Sequence, residues 1–131
     1  MYKINIDGRC ASKKNSRIIF ARGGRNFNIP SKAYMGFHED AMQQLWLWKV
    51  DNKFKKPIGV PMWFKITFFQ KGKLIKGVRT PQDMDNAMSS ILDTLEDAGI
   101  VENDGLFHVC KGIEIIANCD KFSTFFEFDL L

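Results

Sequence analysis

Tyr2, Ile4 and Ile6 alternate with Lys3, Asn5 and Asp7, the period-two pattern of a half-buried strand that stops at the Asp7-Gly8 turn. A polar loop from Arg9 to Ser16 leads to the short apolar run Ile18-Ile19-Phe20. Gly23-Gly24 then breaks the chain, and Asn26 to Ile29 reads as a second short strand. After Pro30, Ser31 is a fitting N-cap, and Tyr34, Phe37, Ala41, Leu45 and Trp48 recur at helical spacing, so one face of a helix is expected. Phe54 to Gly59 is a basic linker around Pro57. Val60, Met62, Phe64, Ile66 and Phe68 alternate again as a long strand, and Gln70 to Thr80 reads as a turn followed by a short extended piece. A second helix is expected over Asp83 to Ala98, burying Met84, Met88, Ile91, Leu92 and Leu95 and ending at Gly99. Two more alternating strands follow, Phe107 to Ala117 and Phe122 to Leu130. The order ββαβαββ predicts an α+β fold, one domain over residues 1–131, with a mixed β-sheet and two helices packed on it.

Length agrees with this, since 131 residues bury a real core without room for a second domain. No apolar run approaches the roughly 18 residues of a membrane span, and Lys3, Asn5 and Asp7 interrupt any signal-peptide core, so no membrane partner and a cytoplasmic location are expected. Cys10, Cys110 and Cys119 form no C-x-x-C pair and are odd in number, which argues for reduced thiols over a disulfide framework or zinc knuckle. His38 and His108 have no metal-ligand spacing and read as ordinary core or surface histidines. Trp46, Trp63 and Phe125 fall off the main apolar stripes, as members of a second core face or of a dimer surface.

Charge changes the picture more. Residues 1–80 hold 17 Lys/Arg against 4 Asp/Glu, whereas residues 81–131 hold 2 against 11. A positive segment of that size is what a phosphate backbone attracts, although singly most such lysines are solvated surface residues. Within the acidic part, Asp83 and Asp85 stand at the start of the second expected helix and Asp104 just beyond its end. The helix would carry the chain about 22 Å away from Asp83. The stretch from Gly99 to Asp104 can span at most about 20 Å, just enough to fold back along it. Three converging carboxylates would suit a hard cation such as Mg²⁺, which takes one or two carboxylates with water and phosphate oxygens. The plainer reading is that acids favour the first turn of any helix, and Asp93, Glu96, Asp97 and Glu102 make this helix acidic throughout.

A resemblance separates these readings. Asp83-Met84-Asp85-Asn86, then Ile91-Leu92-Asp93-Thr94-Leu95, then Ala98-Gly99-Ile100-Val101 and Asn103-Asp104 resemble the DxDN, DxL and AGxxxxD signature of RusA-type Holliday junction resolvases. Ser12-Lys13-Lys14-Asn15-Ser16-Arg17 is similar to the polar SKKNS-like loop of phage and prophage members. Pro30-Ser31-Lys32-Ala33-Tyr34 is similar to their PSxxY helix start. The matches reach from the first strand to about residue 109. The resemblance implies a RusA-like fold and a homodimeric endodeoxyribonuclease, dependent on Mg²⁺ or on Mn²⁺ in its place, that resolves four-way DNA junctions by paired symmetric nicks in recombination and repair. It implies that Asp83, Asp85 and Asp104 are the catalytic, metal-binding acids, that Lys13, Lys14, Asn15, Arg17, Lys32 and Lys76 contact DNA, and that the protein is nucleoid-associated. A cation held there would polarise the scissile phosphate and activate a bound water.

Two departures stand out. The family often carries a lysine one helical turn after the second acid, where this chain has Ser89, and the doubled acid that ends the motif is reduced to Asn103-Asp104. Either another lysine, such as Lys14, Lys76 or Lys111, reaches in, or the chain is a catalytically impaired module of the same fold that binds junctions or DNA generally.

Overall fold

The computed structural model describes residues 1–11, 17–22, 25–30, 32–73 and 84–131, with the backbone alone for 17–22 and 25–30. Eight elements of regular structure follow one another among these residues: β1 (Tyr2–Asp7), β2 (Arg17–Arg22), β3 (Arg25–Pro30), α1 (Lys32–Asp51), β4 (Met62–Lys71), α2 (Met84–Asp97), β5 (Phe107–Cys119) and β6 (Ser123–Leu130). Four strands form a mixed sheet in the order β1-β6-β4-β5, with β4 and β5 parallel and β6 antiparallel to both of its neighbours. A parallel pair needs a crossover, and α2 supplies it. The α2 helix therefore starts beside the C-terminal half of β4 and ends beside the N-terminal edge of β4 and β5. The fold is α+β, a mixed sheet with two helices, as the periodicity predicts.

The N-terminal part differs from the expected order. The apolar run at Ile18 is a strand in its own right, and it pairs antiparallel with β3, from Arg17 opposite Pro30 to Arg22 opposite Arg25. Three strands thus precede α1 where two were expected, and β2 and β3 form a separate two-stranded ribbon outside the main sheet. Ser31 and the extended piece expected after Lys73 lie outside the described residues.

Alternation builds the core. Ile4 and Ile6 of β1, Met62, Phe64 and Ile66 of β4, and Phe126 and Phe128 of β6 all point to one face and are buried against Ala41 and Leu45 of α1 and Ile91 and Leu95 of α2. Phe64, Phe107, Phe126 and Phe128 meet at its centre with ring centroids 5.5 to 6.0 Å apart. The buried stripe of α2 is rotated from the expected one: Ala87, Ser90, Ile91, Thr94 and Leu95 are buried, while Met84, Met88 and Leu92 are half-buried. The Thr94 hydroxyl donates to the Ser90 carbonyl at 2.7 Å, so small polar side chains go inside with a partner and α1 packs against α2. Val60 and Val109, expected among the buried alternating positions, are exposed. Val60 precedes β4, and Val109 lies on the edge strand β5, whose 13 residues face 10 of β4 through three register shifts. Such bulges bend an edge strand and discourage sheet-to-sheet association.

Side-chain contacts fix β1 on α1. The Trp48 indole N–H donates to the Lys3 carbonyl at 2.8 Å, and Gln44 both accepts from the Asp7 N–H at 2.7 Å and donates to the Asp7 carbonyl at 2.9 Å. Beyond β1 the chain turns at Gly8, with φ at 110°, and the Cys10 thiol reaches the Ala87 carbonyl of α2 at 3.7 Å. No helix among the described residues is long and apolar enough to cross a membrane.

Candidate functional site

The two ends of α2 carry the candidate chemistry. At its N-terminal end Asp85 lies exposed in the first turn, where the helix dipole favours a carboxylate, and Ser89 is exposed one turn later on the same face. Beneath them Gly8, Cys10, Phe68, Gln70, Met84 and Thr124 help to line a cavity of about 40 Å³, room for one or a few waters. Burial pushes the Cys10 thiol up to about 12, so it stays protonated. The Gln70 side chain donates weakly, at 3.4 Å, to the Lys73 carbonyl, and its buried Oε1 has no partner among the described residues. Arg9 covers the Phe122 ring at 5.2 Å.

The C-terminal end is tied down. The helix stops through an Ile100 N–H to Leu95 carbonyl bond with Gly99 at a φ of 73°, a backbone conformation that favours glycine. Lys49 of α1 donates to the Ala98 carbonyl at 2.8 Å, a cation on the negative end of the helix dipole. Val101 bridges to Ile58, and the Glu102 N–H donates to the Ile58 carbonyl. His38 packs here between the helices, its Nδ1 3.4 Å from Thr94 Oγ1 and 3.5 Å from the Tyr34 hydroxyl, and its Nε2 3.5 Å from Asp97. Burial, then Asp93 and Asp97, raise the Tyr34 pKa above its ordinary value.

Asp104 belongs to this second end. It opens a short 3₁₀ turn, Asp104–Leu106, capped by Asn103, whose side chain accepts from the Gly105 N–H at 2.7 Å. The Asp104 N–H donates to Glu96 Oε1 at 3.0 Å. Glu96 stands eleven residues beyond Asp85, about 16 Å along the helix axis. The connection from Gly99 pairs with Ile58 and passes straight into β5 rather than folding back over α2, so Asp85 and Asp104 of one chain do not meet. Among the described residues no group of three or more His, Cys, Asp or Glu side chains is gathered for one ion. Within one chain, Asp85 and Asp104 therefore do not form a common donor set for Mg²⁺.

Of the other candidates, Asp83, Lys13, Lys14, Asn15 and Lys76 lie outside the described residues. Arg17 opens β2, and Lys32 is the exposed first residue of α1. Lys111, a candidate to stand in for a lysine at Ser89, has its ammonium 3.9 Å above the Trp63 ring. Trp63 alternates out of phase with the core residues Met62, Phe64 and Ile66, so Lys111 lies on the sheet face away from α2. Sequence reasoning missed the Glu96 contact, which no spacing rule signals, and the cavity under α2. It also did not join Trp46 to the lysines that follow α1, although Trp46 and Val50 at i and i+4, followed by Lys53, Lys55 and Lys56, were a readable signal.

No protein-family model matches the chain, and no curated protein matches it.

Proposed function

We propose that this chain is a homodimeric endodeoxyribonuclease, dependent on Mg²⁺ or Mn²⁺, that nicks four-way DNA junctions in pairs. The observation that carries the reading is the contact of Cys10 with Ala87, which sets the residues leading into the basic sequence, Arg9 to Ala11, beside the acid-bearing turn of α2. Lys13 and Lys14 follow Ala11 by two and three positions, and Asp85 precedes Ala87 by two. Positive and negative chemistry therefore start from the same end of the sheet, the pairing that a phosphodiester substrate and a cation require together.

Asp85, with Asp83 beside it in sequence, suffices as a carboxylate set for one hard cation, since such ions keep water and phosphate oxygens as further ligands. Asp104 joins that set from the twofold partner. A dimer axis that sets the two α2 helices antiparallel brings each C-terminal end beside the other's N-terminal end. Arg9, Lys13, Lys14 and Arg17 hold the backbone electrostatically, positioning DNA without reading its sequence.

Incubation with a synthetic four-way junction tests the reading on a denaturing gel. Paired symmetric nicks that need the divalent cation and vanish in Asp85→Asn are expected. Tight junction binding without nicks in either Mg²⁺ or Mn²⁺ would leave the second reading, an impaired binding module, which Ser89 in the position of a lysine favours.

A further inference from the structure

The outer side of α1 carries large apolar side chains that no other part of the described chain covers. Trp46 is 62% exposed, Leu47 53% and Val50 55%. With Lys49, Lys53, Phe54 and Lys55, Trp46 and Val50 line an open groove of about 720 Å³ at the C-terminal end of α1. Its floor is packed: Phe54 lies on Trp48 at 5.4 Å and on Tyr2 at 5.9 Å, and its N–H donates to the Lys49 carbonyl at 2.8 Å. Its rim is cationic, because among the described residues no carboxylate lines it and none pairs with Lys53 or Lys55. Lys53 sits at a φ of 51°, a position where glycine or asparagine ends a helix with less strain.

We propose that this groove binds single-stranded nucleic acid, with a base stacked on Trp46 and flanking phosphates held by Lys53 and Lys55. Exposed aromatic faces beside lysines are the two components of sequence-tolerant single-strand binding, stacking and backbone attraction. A second copy is the weaker occupant, because a twofold contact would set the lysines of this patch against themselves. The groove lies by the C-terminal end of α2, which Lys49 caps, and so away from Asp85. The inference therefore does not rest on the nuclease reading.

Anisotropy of a labelled oligo(dT) of about 15 nucleotides, in EDTA and low salt, tests it. The intact protein is expected to bind with quenching of tryptophan fluorescence. Trp46→Ala should weaken binding at least about five-fold and remove most of the quenching. Lys55→Ala should lower the slope of log affinity against log salt by about 0.7. Lys53→Gly should raise the unfolding midpoint while weakening binding, a combination that a merely structural lysine would not give. Unchanged affinity and quenching in Trp46→Ala would overturn the proposal. So would a Trp46-dependent preference for phosphatidylserine vesicles over oligo(dT), or dimer dissociation as the sole effect of Trp46→Ala. Because EDTA removes any metal-dependent nicking, failure here leaves the junction assay standing, and failure of the junction assay leaves this binding standing.

Discussion

The two ends of α2 are built differently. The C-terminal end is held by a glycine stop, a lysine cap, a bridge to Ile58 and the amide of Asp104 on Glu96, and nearly every polar group named there has a partner. At the N-terminal end Asp85 and Ser89 face solvent above a small cavity with a Gln70 oxygen that has no partner among the described residues. One end spends its side chains on keeping the helix in place, and the other leaves them available to a ligand. The acids that the sequence motif groups together are divided between these two ends: the backbone N–H of Asp104 is bound to Glu96 at one, and Asp85 stands exposed at the other.

Leu95→Ala attacks the pinned end most severely. Leu95 is fully buried, and a loss of about 2–5 kcal/mol is expected from a denaturant curve. A loss below about 1 kcal/mol would mean that this end is not tightly packed. At the open end, Cys10 should make stability fall at alkaline pH. The unfolded thiol ionises above about 9 while the folded one stays protonated to about 12, so its contribution is full below pH 9 and disappears as pH rises toward 12. Within that window the intact protein should lose up to about 1.4 kcal/mol per pH unit more than Cys10→Ala. Parallel pH profiles would contradict the burial of Cys10 against α2.

Gly99→Ala should cost about 1–2 kcal/mol, because a side chain at that positive φ is strained and its Cβ would stand 3.4 Å from the Lys49 ammonium. Asp85→Asn should change stability by less than about 0.5 kcal/mol, as expected for an exposed position. A larger loss would make Asp85 a folding residue and dissolve the contrast between the ends.

Much of the fold is legible in period-two and period-3.6 patterns. The β1, β4 and β6 strands alternate cleanly because one face packs on helices, and the stripe from Tyr34 to Leu45 marks α1. The edge position of β5 was not legible, since its exposed Val109 depends on which strand lies beside it. Nor was the rotated stripe of α2, because Ser90 and Thr94 are buried only through a hydrogen bond that sequence does not display. For the candidate site, Asp85 falls where helix-start rules put it. Asp104 does not return to it, because maximum chain reach says what a loop can span and the backbone pairing with Ile58 decides where it goes.

Hybrid dimers test most directly whether the acids act across the two chains. Asp85→Asn and Asp104→Asn chains, each silent on a four-way junction in Mg²⁺, should regain nicking when coexpressed, because one of the two sites in each hybrid is then intact. The nicks should be single rather than paired. A mixture as silent as either variant alone, or an Asp104→Asn protein that nicks like the unmodified one, would contradict the account.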